Sequence, residues 1–175
     1  MPDDVPVDLP IEARLAAAVK EYGEDAVVLR SISLIAGNNE GDDFLLYVGG
    51  DHARGILDGA PVLYWPELWG TRALLYVWND SALVAVTAAL QNQAWRVREM
   101  AARVAAAREL PLAAEVTALL TDEVARVRAS AARSLGAIGS DLDALRPLLK
   151  DAEIDVRRGA QQGIDAIRKR KSAEG

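Results

Sequence analysis

The chain has 175 residues, no cysteine and a single histidine, His52, which excludes a disulfide scaffold, a thiolate zinc centre, a cysteine nucleophile and any site built on two imidazoles. Hydrophobic residues make up 51% of the chain, yet it has only one Phe, four Tyr and four Trp, so a core of Ala, Leu, Val and Ile is expected, and that mixture favours closely packed helices over sheets. The formal net charge of -6 hides an asymmetry, since residues 1–93 carry a net −9 and residues 94–175 a net +3.

From the N-terminus, the opening MPDDVPVDLP is acidic and Pro-rich, the opposite of a secretory leader, and no stretch approaches the roughly 18 unbroken apolar residues of a membrane span. A cytoplasmic protein without a membrane segment is expected. Apolar periodicity predicts a helix over 11–22. Glu24-x4-Leu29-Arg30 follows, then a polar loop over 37–43 and short broken helices around Gly49-Gly50. A helix is predicted over 66–78, with Asn79-Asp80-Ser81 capping the next element. Residues 1–9 and 172–175 are expected to fray.

The decisive signal is internal repetition. Leu90-x-Asn92-x4-Val97-Arg98-x2-Ala101 returns as Leu120, Asp122, Val127, Arg128 and Ala131, and again as Leu149, Asp151, Val156, Arg157 and Ala160. The same phase carries Val86 to Val116 and Leu145, and Ala105 to Leu135 and Ile164. Each unit reads as two amphipathic helices with a short polar residue between them, placed to cap the second, and with a small alanine where helices approach closely. A pair of helices cannot bury both faces alone, so the units are expected to stack. The reading is an all-α superhelix of about five hairpins in one domain spanning 1–175. Residues 10–79 would be degenerate repeats, and 80–170 three regular ones.

The phase L-x-[ND]-x4-V-R-x2-A, with Leu135-Gly136-Ala137-Ile138-Gly139 closing one second helix, resembles the short HEAT-like repeats of phycobilisome-lyase-type proteins over about residues 81–168. The resemblance implies a ladder in which the turn Asp and the second-helix Arg bond between neighbouring units, making Asp122, Asp151, Arg98, Arg128 and Arg157 structural. Asn92 in the first unit lacks the charge. The aromatic stretch from Tyr64 to Trp78, followed by Trp95-Arg96-Val97-Arg98, also resembles bacterial HEAT-repeat proteins, a resemblance that carries no activity with it.

Candidate binding residues fall into two groups. If Val97, Ala101 and Val104 mark the inward stripe, then Arg96 with Arg126, and Arg103 with Arg133, form two basic rows on the second helices, which usually line the concave face of a solenoid. Guanidinium rows there suit carboxylate or phosphate partners. Trp65, Trp69, Arg72 and Tyr76 share a second helical face and have the composition of an interface hot spot, although large rings also serve to fill gaps between irregular units. His52 beside Asp51 has the elements of a general base, but no nucleophile stands with it. The loop from Asn38 to Asp43 fails the EF-hand template, because Gly49 stands where the bidentate Glu belongs. Arg168 to Lys171 end a helix where cations favour the negative dipole end. The pattern therefore points to a non-enzymatic scaffold that binds a protein or peptide with acidic segments and needs no cofactor or metal. A nucleic-acid binder similar to the HEAT-like alkylation-repair glycosylases stands second, against the acidic first half, and a lyase or chaperone-like subunit third.

Overall fold

The computed structural model describes residues 5–174, and among these every regular element is a helix, with no strand. The chain forms two compact units, residues 1–85 and 86–175.

In the first unit, α1 (Ile11–Tyr22) and α2 (Glu24–Ile35) are joined at Gly23, and α3 (Asp42–Gly49) and α4 (Asp51–Leu57) break at Gly50. Glu24, which stands in Glu24-x4-Leu29-Arg30 where the repeat motif has its turn Asp, opens a helix and does not stand in a turn. α5 (Trp65–Ala73) packs on α2 and α3, and α1 on α2 and α3. The helix expected over 66–78 stops at Ala73, where Leu74, Leu75 and Tyr76 donate to carbonyls three residues back and tighten the chain into turns. Asn79 Oδ1 then accepts from the Ser81 N–H and starts the next short turn, as expected.

This unit is held by devices used once each. Trp69, 2% exposed, packs into the notch left by Gly49, where an added Cβ would lie 2.6 Å from the indole. Gly70 lets α5 approach α2, since a Cβ there would meet the Ser31 carbonyl at 2.6 Å. Arg30 lies between the rings of Tyr22 and Phe44, 4.6 and 4.5 Å from their centroids, and pairs with Glu40. Arg14 and Arg72 both turn inward to the last carbonyls of α3. Arg14 Nε donates to Tyr47 O at 2.9 Å, and Arg72 Nη2 to Val48 O at 2.8 Å, so two guanidinium groups cap the negative end of one short helix. Burial, with the charge of Arg14 beside it, lowers the pKa of Arg72; burial likewise lowers that of Arg14. Gly50 (φ +61°) sits against Arg14, where any Cβ would fall 2.9 Å from the guanidinium carbon.

In the second unit the hairpins follow the repeat. α6 (Leu83–Ala89) leads to α7 (Trp95–Ala107), α8 (Ala113–Ala118) to α9 (Ala125–Ile138), and α10 (Leu142–Leu145) to α11 (Ile154–Ala173). α9 packs between α7 and α11. The repeat phase is the burial phase. Val97, Val127 and Val156 are all 0% exposed, as are Ala101, Ala131 and Ala160, and Val86, Val116 and Leu145 line up with them at 0%. Leu90 and Leu120 are buried, whereas Leu149 of the third hairpin is exposed.

α9 and α11 also approach closely at two glycines of α11. A Cβ on Gly163 would stand 2.2 Å from the Ala132 carbonyl oxygen, and one on Gly159 would stand 2.7 Å from that of Ala129, so α11 meets α9 almost backbone to backbone. On α9 the surface toward α11 is Ala129, Ala132 and Gly136. The positions 29 residues later on α11 are Arg158, Gln161 and Asp165, all exposed. The outer face of α11 is thus polar, the kind of face that closes a stack of repeats.

Of the residues expected to fray, 1–4 and 175 lie outside the described residues. Val7 is buried, Leu9 O accepts from Arg14 Nη1, and α11 continues to Ala173. The basic run that ends α11 does more than meet its own dipole, since Arg170 donates to Gly136 O and Gly139 O, and Lys171 to Ser140 O, closing the C-terminus of α9. Among the described residues no helix is long and apolar enough to cross a membrane.

Candidate functional site on the second helices

A rigid ladder positions the second helices. Asn92, Asp122 and Asp151 each accept, through Oδ1, the N–H two residues on (Ala94, Val124 and Glu153), forming an Asx turn that sets the chain just ahead of α7, α9 and α11. The expected capping role is therefore carried out one step before the helix. Arg98 Nη1 donates to its own turn carbonyls at Asn92 and Gln93, while Nε and Nη2 form a fork on Asp122 of the next hairpin at 2.7 and 3.0 Å. Arg128 repeats this with Asp122 O and Glu123 O on one side and the Asp151 carboxylate, at 2.9 and 3.0 Å, on the other. Arg157 closes its own turn through Asp151 O and Ala152 O in the same way.

The electrostatics follow this geometry. Burial alone would push the Asp122 carboxyl up, but the Arg98 fork, the Val124 N–H and the nearby Arg128 charge outweigh it and hold the group below its ordinary value. The Arg128 hydrogen bond does the same for Asp151 against a smaller burial penalty. The carboxylates in turn raise Arg98 and Arg128.

On this frame the four arginines of the two basic rows reach the surface. Arg103, Arg126 and Arg133 are exposed and Arg96 is half-buried. The first row converges on an indole that sequence reasoning grouped with the aromatic cluster without assigning it to the site. The guanidinium of Arg96 lies 4.6 Å from the Trp95 centroid and that of Arg126, from the next hairpin, lies 5.4 Å away. Glu99 partly neutralises this row, pairing with Arg126 at 3.3 Å. The signal for Trp95 was available: its counterparts at the start of α9 and α11 are Ala125 and Ile154, so the ring is not demanded by the repeat. In the second row Arg133 Nε donates to Gln162 Oε1 at 2.9 Å, and Arg103 stands one hairpin earlier.

The second candidate group does not assemble into a surface. Trp69 is a core ring and Arg72 is committed to the Val48 carbonyl, which takes both off any recognition face. The physical reason is that α5 turns this side toward α3. Trp65 is half-buried against His52, 4.4 Å between ring centroids, and Tyr76 is 39% exposed. Asp51 pairs with Arg54 at 2.9 Å, and His52 is an exposed residue whose ring is tilted 48° against Trp65.

No curated protein matches the chain. The family model described as HEAT repeats matches residues 83–165, the stretch that carries the ladder and the arginine rows, and over that stretch the chain is similar to HEAT repeats and forms a HEAT-like repeat array.

Proposed function

We propose that this chain is a non-enzymatic, cytoplasmic scaffold that binds an acidic protein or peptide segment along the second helices of its repeats, with residues 10–79 as a degenerate part of the same HEAT-like domain. The observation that carries the reading is the cluster of Trp95 with Arg96 and Arg126, flanked by the exposed Arg103 and Arg133. An indole with guanidinium groups from two hairpins combines the residue types that dominate interface energies, and planar forks suit carboxylates. Glu99 tempers the row and would set a preference for a partner able to displace it.

The test is fluorescence titration of a labelled Asp/Glu-rich peptide, with the Arg96→Glu/Arg126→Glu double variant as comparison. Affinity is expected to fall with rising salt and to drop about tenfold or more in the variant. Equal binding by both proteins removes the assignment. The net positive second half favours one alternative, a nucleic acid, and tighter binding of a DNA duplex than of the peptide at low salt would select it.

A further inference from the structure

We infer that Arg157, with Leu149 and Ile154 beside it in the chain, is a docking site for an aspartate-bearing turn of a partner protein, a surface separate from the Trp95 cluster. Three copies of one device carry this. In each hairpin the ladder arginine fixes Nη1 on the carbonyls six and five residues back: Asn92 and Gln93 for Arg98, Asp122 and Glu123 for Arg128, Asp151 and Ala152 for Arg157. On Arg98 and Arg128 the other edge of the guanidinium, Nε with Nη2, reaches the following hairpin. There it holds both oxygens of an aspartate that is itself in an Asx turn. On Arg157, gripped in the same way, no acceptor among the described residues meets that edge.

The apolar surroundings change in step. Leu90 and Leu120 are 1% and 5% exposed, whereas their counterpart Leu149 is 36% exposed. Ile154 is 51% exposed where Trp95 and Ala125 are half-buried. An arginine already tied to its own turn has given up much of its rotamer freedom, so an incoming carboxylate does not have to order it. Its planar fork matches the two oxygens of a carboxylate. The filled rungs also give the form of the occupant. Leu120-Thr121-Asp122 and Leu149-Lys150-Asp151 each present an aspartate two residues after a leucine, which supplies an apolar group for Leu149 and Ile154. The exposed Arg158, Gln161 and Asp165 make the outer face of α11 polar, so the partner meets the turn end of the third hairpin and does not lie along the helix.

The experiment is titration of the full chain with a cyclic peptide that holds Leu-Leu-Thr-Asp-Glu-Val, the sequence of residues 119–124, followed by ¹H–¹⁵N spectra. Shifts are expected at the amides of residues 149–157. The Asp→Asn form of the peptide keeps an Asx turn, as Asn92 does, and is expected to bind about fivefold more weakly. Arg157→Gln is expected to bring the two peptides to parity. Leu149→Gln, an exposed change that leaves the fork in place, is expected to weaken both peptides alike. Equal binding of the two peptides by the native protein, no shifts at millimolar peptide, an Asp preference that survives in Arg157→Gln, or unchanged affinity in Leu149→Gln would each overturn the proposal. Shifts centred on Trp95, Arg96 and Arg126 would overturn it as well, and would favour the groove of the second helices as the one acidic-peptide site.

Discussion

The two units of this molecule solve the same packing problem by different means. In the second, one set of interactions is issued repeatedly: a buried Val, a small Ala, an Asx turn and an Arg fork reaching the next hairpin. In the first, each junction has its own solution, with Trp69 in the Gly49 notch, Gly70 against Ser31, Arg30 between two rings, and two arginines on the end of α3. Repetition spreads stability over equivalent rungs, whereas bespoke packing concentrates it in a few residues. The difference predicts where each unit is fragile.

The largest expected effect is in the first unit. Trp69→Ala should cost about 4 kcal/mol, because a fully packed indole leaves a cavity that the surrounding helices cannot close. Urea unfolding measures it, and a loss below about 1 kcal/mol would show that the first unit does not hinge on this ring. Next comes the close contact in the second unit. Gly163→Ala should cost about 3 kcal/mol, since the new methyl would collide with the backbone at Ala132 and no side chain can give way. Gly55→Ala in α4 is the control, because nothing lies within 4 Å of its added Cβ, and it should be neutral or slightly stabilising.

The ladder gives smaller and graded effects. Asn92 forms the turn without the charge, so Asp122→Asn removes the fork alone and Asp122→Ala removes the turn as well. Expected losses are about 1 and about 2 kcal/mol by urea unfolding. The corresponding changes at Asp151 should be milder, because its side chain is 14% exposed against 7% for Asp122. Equal losses at the two sites would mean that burial does not set the strength of a rung. The pH dependence has a definite sign. Both carboxyls titrate below their ordinary 3.8 when folded, so their contribution is complete above that value and is lost as pH falls through the folded values. Acid titration of stability should therefore fall less steeply below about pH 4 in the Asp122→Asn/Asp151→Asn variant than in the native protein.

The sequence by itself determined what recurs. The phase of Val97, Val127 and Val156 identifies the inward face because burial at one position imposes the same apolar demand on its two copies. It also placed α1 correctly and located the surface arginines of α7 and α9 as residues off that stripe. Only the tertiary structure decided what occurs once. The helical face of Trp69 and Arg72 reads as a core stripe or as an interface, and the packing of α5 on α3 puts Trp69 in the core. The close contact of Gly159 and Gly163 with α9, and the pairing of Arg126 with Trp95, join residues whose proximity depends on how the helices lie beside one another. A pattern along the chain records periodic burial, whereas a single contact between distant segments leaves no periodic trace.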